Sequence, residues 1–309
     1  MSLDAESAPP DLDVACHLNV VLADVASDLL PAALDALVDA GYRRVVLPPL
    51  DPESIDVAGL ARVFAARGIA PITIAGQLPG ADVSSDDADE RAAGAAALRA
   101  AVELTAALGG DQMNGVPYGL FGSPTGPTPE SALSRSAVEV GRVADYAHER
   151  GITMTFEVLN RYETSAINTA AQAMRYVEAS GSEHLGIHLD TFHMAVEEGD
   201  LAEAITLALP RLGYLELGQS GRGGLSRGAV DVPELVRHAF DSGYTGRLGV
   251  EAFSREVLSP GASDMLAIWR APYLDGVGLA QDAMRVIRRG FALSTEGRRA
   301  ARLARLSHE

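Results

Sequence analysis

Short apolar runs alternate along the chain with longer stretches whose apolar residues recur every three or four positions. The runs at 14–20, 43–47, 69–74, 111–116, 152–156, 186–190, 214–217 and 248–251 predict eight strands. Between the first two, Leu30, Leu34, Leu37 and Val38 fall at helical spacing and stop at Gly41. Asp56 is placed to cap a helix carrying Leu60, Val63 and Phe64, which stops at Gly68. Further helices are expected in the Ala-rich stretch ending near Leu108, from Pro129 as first helical residue to Gly151, over 169–179, from Asp200 to about Pro210, from Asp231, and from about Met265. The prolines and glycines of 117–129 argue against regular structure there.

Several junctions share one form, a helix, a glycine, one or two residues and a strand, at Gly41, Gly68, Gly151 and Gly243. Glycine supplies the left-handed stop that such a helix end needs. Strict alternation with apolar strands predicts an α/β protein with a parallel sheet covered by helices. Eight units fit a closed (β/α)8 TIM barrel. An open doubly wound sheet is the alternative, and no phosphate-binding glycine fingerprint follows the first strand to support it. The expected organisation is a loose tail at 1–12, one barrel domain at 13–292 and a helical extension at 293–309.

Charge narrows the function. The net charge of −17 argues against a nucleic-acid partner. The one basic cluster, Arg288, Arg289, Arg298, Arg299, Arg302 and Arg305, reads as a solvated helix face, with an oligomer contact as its competitor. The single cysteine, Cys16, excludes an internal disulfide and a cysteine metal cluster; it reads as a buried, inert thiol. The start lacks a basic segment followed by an apolar one, and no apolar run reaches membrane-spanning length, so a soluble cytoplasmic protein is expected.

The predicted ends of strands five to eight carry Glu157, Asp190, Glu216 and Glu251, with successive separations of 33, 26 and 35 residues, about one strand–helix unit each. Reactive groups of such a barrel sit at the C-terminal strand ends, so the four side chains can converge. Converging carboxylates raise each other's pKa unless a cation lies among them. Oxygen ligands suit Mg2+ or Mn2+. The bland alternative for each acid is a local pair with an arginine.

The stretches FEVLNRYETSAINT, HLDTFHMAVEE and GVEAF resemble the ketose 3-epimerases of the D-tagatose and D-psicose 3-epimerase group, within the xylose isomerase-like sugar isomerase/epimerase barrels. The likeness runs from about Gly151 to Phe253. It implies one divalent ion held by a Glu, an Asp, a His and a Glu, of which Glu157, Asp190 and Glu251 match three. It further implies that Glu163, His193 and Arg222 contact a sugar. Without the motif, His193 reads as a satisfied helix-start histidine and Arg222 as a loop arginine. The chain departs from the pattern where the third ligand falls: Glu216 stands in the place of the family histidine, and Gln219 in the place of a nearby acid. Glu216 either joins the metal as a fourth carboxylate or turns away to pair with Arg222.

The implied activity is metal-dependent epimerisation of a free ketose at C3 through a cis-enediolate, with Glu157 and Glu251 as acid and base on the two faces. Aldose–ketose isomerisation or keto-inositol chemistry would use the same site. A barrel that binds sugar or metal without turnover is the reading from another class, because the third ligand has changed.

Overall fold

The computed structural model describes residues 12–306. The expected tail at 1–12 lies outside them except for Leu12. Eight strands are present: β1 (Val14–His17), β2 (Arg44–Val46), β3 (Ala70–Gln77), β4 (Gln112–Leu120), β5 (Thr153–Val158), β6 (Leu185–Asp190), β7 (Leu212–Gly218) and β8 (Arg247–Glu251). Each pairs in parallel with the next, and β8 pairs with β1, so the sheet closes on itself in chain order. The (β/α)8 barrel is therefore the fold.

The helices are α1 (Leu30–Ala40), α2 (Val57–Ala65), α3 (Ala88–Ala107), α4 (Glu130–His148), α5 (Ala170–Ser180), α6 (Thr191–Glu197), α7 (Leu201–Ala208), α8 (Val232–Asp241), α9 (Pro260–Met265), α10 (Gly276–Leu293) and α11 (Thr295–Leu306). Their starts follow the side-chain chemistry of capping. Asp56 accepts from the Gly59 N–H, Asp200 from Ala202 and Glu203, and Asp231 from Glu234. Gly41, Gly68, Gly151 and Gly243 have φ of 99°, 62°, 72° and 92°, the left-handed stops their positions called for. No helix among the described residues is long and apolar enough to cross a membrane.

Several boundaries differ from the sequence expectation, the first at β1, which ends at His17 and gives way to a 3-10 turn at Leu18–Val20. Strand β4 continues through Pro117 to Leu120. Its pairing with β5 covers only Gln112 and Met113, so the missing proline N–H removes no bond on that side. Pro129 is the residue before α4 rather than its first residue, and the Thr128 hydroxyl instead bonds Ser165 at 2.9 Å. Met265 ends a short helix that Ser259 caps, and the long helix α10 begins only after Asp275, whose side chain accepts from Gly278. Two separate caps, with the left-handed Ala267 between them, divide what the periodicity joined.

Most of the core lies between the barrel wall and the helices. Inside the barrel, Ala15, Val46, Ile72 and Tyr214 form a small apolar layer. Beneath it the N-terminal strand ends are closed by charge. Arg44 binds Asp13 at 2.7 Å and also Asp111, while Arg247 reaches Asp111 at 2.7 Å, Asp13 at 3.1 Å and Gln112 at 2.6 Å. These contacts tie the starts of β1, β2, β4 and β8 together at that end. Cys16 is fully buried with its thiol against the His17 carbonyl, and burial pushes its pKa far up, as expected of an inert thiol.

Candidate active site

Side chains two apart on a strand share a face. The inward face at the C-terminal end therefore collects His17 from β1, Glu157 from β5, His188 and Asp190 from β6, Glu216 from β7 and Glu251 from β8. All but Glu157 are buried, and Glu157 is partly so. The four acids that the strand ends predicted do meet.

Asp190 also caps α6, its Oδ1 accepting from the Phe192 N–H at 2.9 Å. That helix start aims His193 back at the acids: its Nε2 lies 3.4 Å from Glu157 Oε1 and 3.6 Å from Asp190 Oδ2. The other ring nitrogen, Nδ1, accepts from the Asn160 backbone N–H at 3.1 Å. The proton of the neutral ring is thereby on Nε2, facing the carboxylates. The Asn160 side-chain amide donates to Glu163 at 2.9 Å and tethers that acid at the rim.

Arg222 sits in the loop after β7 with φ of 55°, a left-handed position uncommon for a residue other than glycine. Gln219 fixes this loop. Its amide donates to the carbonyls of Leu225 (3.3 Å) and Val230 (2.7 Å) and accepts from the N–H groups of Ser220 (3.0 Å) and Val230 (3.2 Å). Its backbone carbonyl takes the Arg222 N–H at 2.7 Å. The guanidinium lies 3.6 Å over the Phe192 ring, bonds Glu251 and reaches Asp190 Oδ2 at 3.3 Å.

Arg222 does not pair with Glu216, which corrects that alternative. Glu216 lies between two imidazoles instead: His17 Nε2 is 3.0 Å from Oε1 and His188 Nε2 is 3.1 Å from Oε2. These are charge contacts whose angles miss hydrogen-bond geometry. Both Glu216 oxygens and both His188 nitrogens are buried without a hydrogen bond. A side chain at Gly249 would collide here, its Cβ 2.6 Å from Glu216 Oε1 and 2.3 Å from the Tyr214 hydroxyl.

Burial pushes Asp190 and Glu251 up to about 7, against the pull of His193 and Arg222 on the first and of Arg222 and His17 on the second. Burial raises Glu157 as well. Glu216 goes the other way: burial opposes its charge, but His17 and His188 hold it well below the usual carboxylate range. His17 rises to about 9 because Glu216 and Glu251 outweigh its burial. Burial lowers His193 to about 4.

Donor atoms of three overlapping groups lie within 4.8 Å of one another: His17–Glu216–Glu251, Glu157–His188–Glu216 and Glu157–Asp190–His193. Buried carboxylate and imidazole atoms without hydrogen-bond partners, among acids that resist ionising together, fit a divalent cation. The site can bind a metal ion.

Sequence reading missed His17 and His188. A signal existed for each. His188 stands two residues before Asp190 in Gly-Ile-His-Leu-Asp and so shares its face, and His17 closes the first strand as the acids close theirs.

Residues 34–289 match the xylose isomerase-like TIM barrel family. A ketose 3-epimerase of Arthrobacter globiformis is 36% identical over 277 residues, 90% of this chain and 96% of that one. An L-ribulose 3-epimerase of Mesorhizobium japonicum is 35% identical over 297 residues, 96% of this chain and 99% of its own. Among solved structures, an L-ribulose 3-epimerase superposes with a TM-score of 0.86 at 33% identity, covering 94% of this chain and 98% of that one. A D-allulose 3-epimerase of Methylomonas sp., in complex with D-allulose, gives 0.85 at 32% identity, covering 91% and 98%.

Proposed function

Since this chain belongs to the xylose isomerase-like TIM barrel family and is an isomerase-class enzyme, we propose that it epimerises a free ketose at C3. The observation that carries this is the pair Glu157 and Glu251, two interior carboxylates from strands three apart in the barrel, both with raised proton affinity.

Glu157, Asp190, Glu216 and Glu251 would hold one Mn2+ or Mg2+. Bound there, such an ion supplies Lewis-acid polarisation of the substrate carbonyl. The chain's own residues supply the proton traffic. One of Glu157 and Glu251 removes the C3 proton, and the other delivers a proton to the opposite face, which inverts that carbon. Each group must gain and lose a proton near neutrality, a balance that burial, which favours the acid, and the cation, which favours the carboxylate, would set together. The His193 Nε2–H and the Arg222 guanidinium face the same space and stabilise negative charge on the sugar oxygens of the enediolate. Glu163, tethered by Asn160, holds a terminal hydroxyl.

The acidic field of the strand ends disfavours an anion, which favours an unphosphorylated sugar as the substrate. L-ribulose and D-allulose, named for the relatives, are the first to test. Glu216, a carboxylate at the position of the family histidine, favours aldose–ketose isomerisation as the second reading. Incubation of Mn2+-loaded protein with free ketoses in deuterated water separates the two. Deuterium at C3 with appearance of the C3 epimer supports the proposal. Label at C1 or C2 with appearance of an aldose supports the second reading, and retained metal without any exchange reduces the barrel to a binder.

A further inference from the structure

His188 enters the description above only through its charge contact with Glu216, and it is deeply buried. Its ring is 2% exposed, and neither nitrogen makes a hydrogen bond. A buried polar group without a partner loses its hydration for no return. Its surroundings say what the ring is placed to hold. Register sets His188 beside Glu157 across the β5–β6 ladder. Its Nε2 lies 3.1 Å from Glu216 Oε2, and donor atoms of Glu157, His188 and Glu216 are mutually within 4.8 Å. The Tyr214 ring stands edge-on to the imidazole, 4.8 Å between centroids, and fixes its plane.

We propose that His188 is a nitrogen ligand of the divalent ion, joining Glu157 and Glu216 through Nε2. This rests on the metal reading above. The imidazole that the ketose 3-epimerase pattern carries on β7 is replaced there by Glu216, and β6, the neighbouring strand, returns one.

The other two histidines are less suited. The His193 Nδ1 is occupied by the Asn160 N–H, and the Arg222 guanidinium lies 3.4 Å from Nε2, so neither nitrogen is free for a cation. His17 has a carboxylate at each nitrogen, Glu216 at 3.0 Å and Glu251 at 3.7 Å, the arrangement of an imidazolium bridging two acids. An added nitrogen ligand also shifts metal preference. Imidazole suits transition ions better than Mg2+, so Mn2+ and Co2+ should bind more tightly than Mg2+.

Pulsed EPR of the Mn2+-loaded protein tests the assignment directly. The wild type should show 14N coupling to the ion, and labelling histidine with 15N should convert it to the 15N pattern. The coupling should vanish in His188→Gln, with the Mn2+ Kd raised tenfold or more, and should survive in His17→Gln. Absence of histidine coupling in the wild type overturns the proposal, and so does coupling that persists in His188→Gln. Where His188→Gln does not fold, absence of coupling in the labelled wild type, or its loss in His17→Gln or His193→Gln, overturns the proposal. Failure of the protein to retain Mn2+ at all would sink the metal reading itself, a result distinct from retained Mn2+ without nitrogen coupling.

Discussion

Asn160 meets His193 twice: its backbone N–H donates to Nδ1 at 3.1 Å, and its side-chain nitrogen stands 2.8 Å from the same atom. The same side chain donates to Glu163 at 2.9 Å. One residue thus sets the tautomer of a ring facing the acids and the position of an acid at the rim.

These two duties separate on substitution. Asn160→Leu keeps the backbone donor, so the His193 tautomer should persist. Glu163 loses its tether, and its hold on the substrate should loosen. KM is expected to rise about tenfold, roughly 1.4 kcal/mol, with kcat within a few-fold of wild type. The His193 15N shifts should keep the pattern of the Nε2–H tautomer, since the backbone bond to Nδ1 remains. A fall in kcat as large as the rise in KM would show that the side chain serves the proton chemistry instead.

The paired carboxylates make a sharper demand. Glu157→Gln and Glu251→Gln each keep an oxygen donor and remove the proton carrier. Turnover should fall by about two to four orders of magnitude in either variant, while metal affinity falls only in part. Metal content measured beside turnover keeps the two losses apart. Near wild-type epimerisation by either fully metallated variant would exclude the two-acid mechanism and point to His193 or water.

The fold was legible because its signals are local: apolar strands, aspartate caps and glycine stops each lie within a few residues of the boundary they set. The acids were legible because they recur at the unit spacing of the barrel. The histidines were not, since nothing in the residues around His17 announces Glu216, 199 positions away, until β8 pairs with β1 and the sheet closes. Arg222 was assigned to the sugar, and its contacts with Asp190 and Glu251 depend on how one glycine-rich loop turns. At Met265 the local signal misleads for the opposite reason. Periodicity spans the gap between α9 and α10, and only the caps at Ser259 and Asp275 divide it.

That loop yields a third prediction. Gln219 donates to two carbonyls and accepts from two N–H groups, which only a neutral amide can do. Gln219→Glu turns both donors into a negative charge facing carbonyl oxygens. Leaving such groups unsatisfied costs about 1–3 kcal/mol each. Hydrogen exchange should show lost protection at the Arg222 and Val230 amides, and KM should rise as the guanidinium loses its aim. Unchanged protection at both amides would mean that the loop holds itself without Gln219.

The floor of the barrel gives a pH dependence far from the catalytic groups. Asp111 is partly buried, which favours its neutral form, but Arg44 and Arg247 outweigh that and lower its pKa below the ordinary aspartate value. A group whose folded pKa is depressed binds fewer protons in the folded state. Its stabilisation is complete above the unfolded value near 3.8 and is lost as pH falls through the lower folded value. Asp111→Asn should therefore destabilise the protein at pH 7 by roughly 1 kcal/mol, a figure kept small because the side chain is partly solvated and screened. The gap between variant and wild type should close as pH drops below the ordinary aspartate range, where the wild-type carboxyl is protonated as well. Urea unfolding of both proteins at neutral pH and between pH 3 and 4 checks this. A gap that stays constant across that range would show that the Asp111 charge contributes nothing and that Asp13 and Gln112 hold the arginines without it.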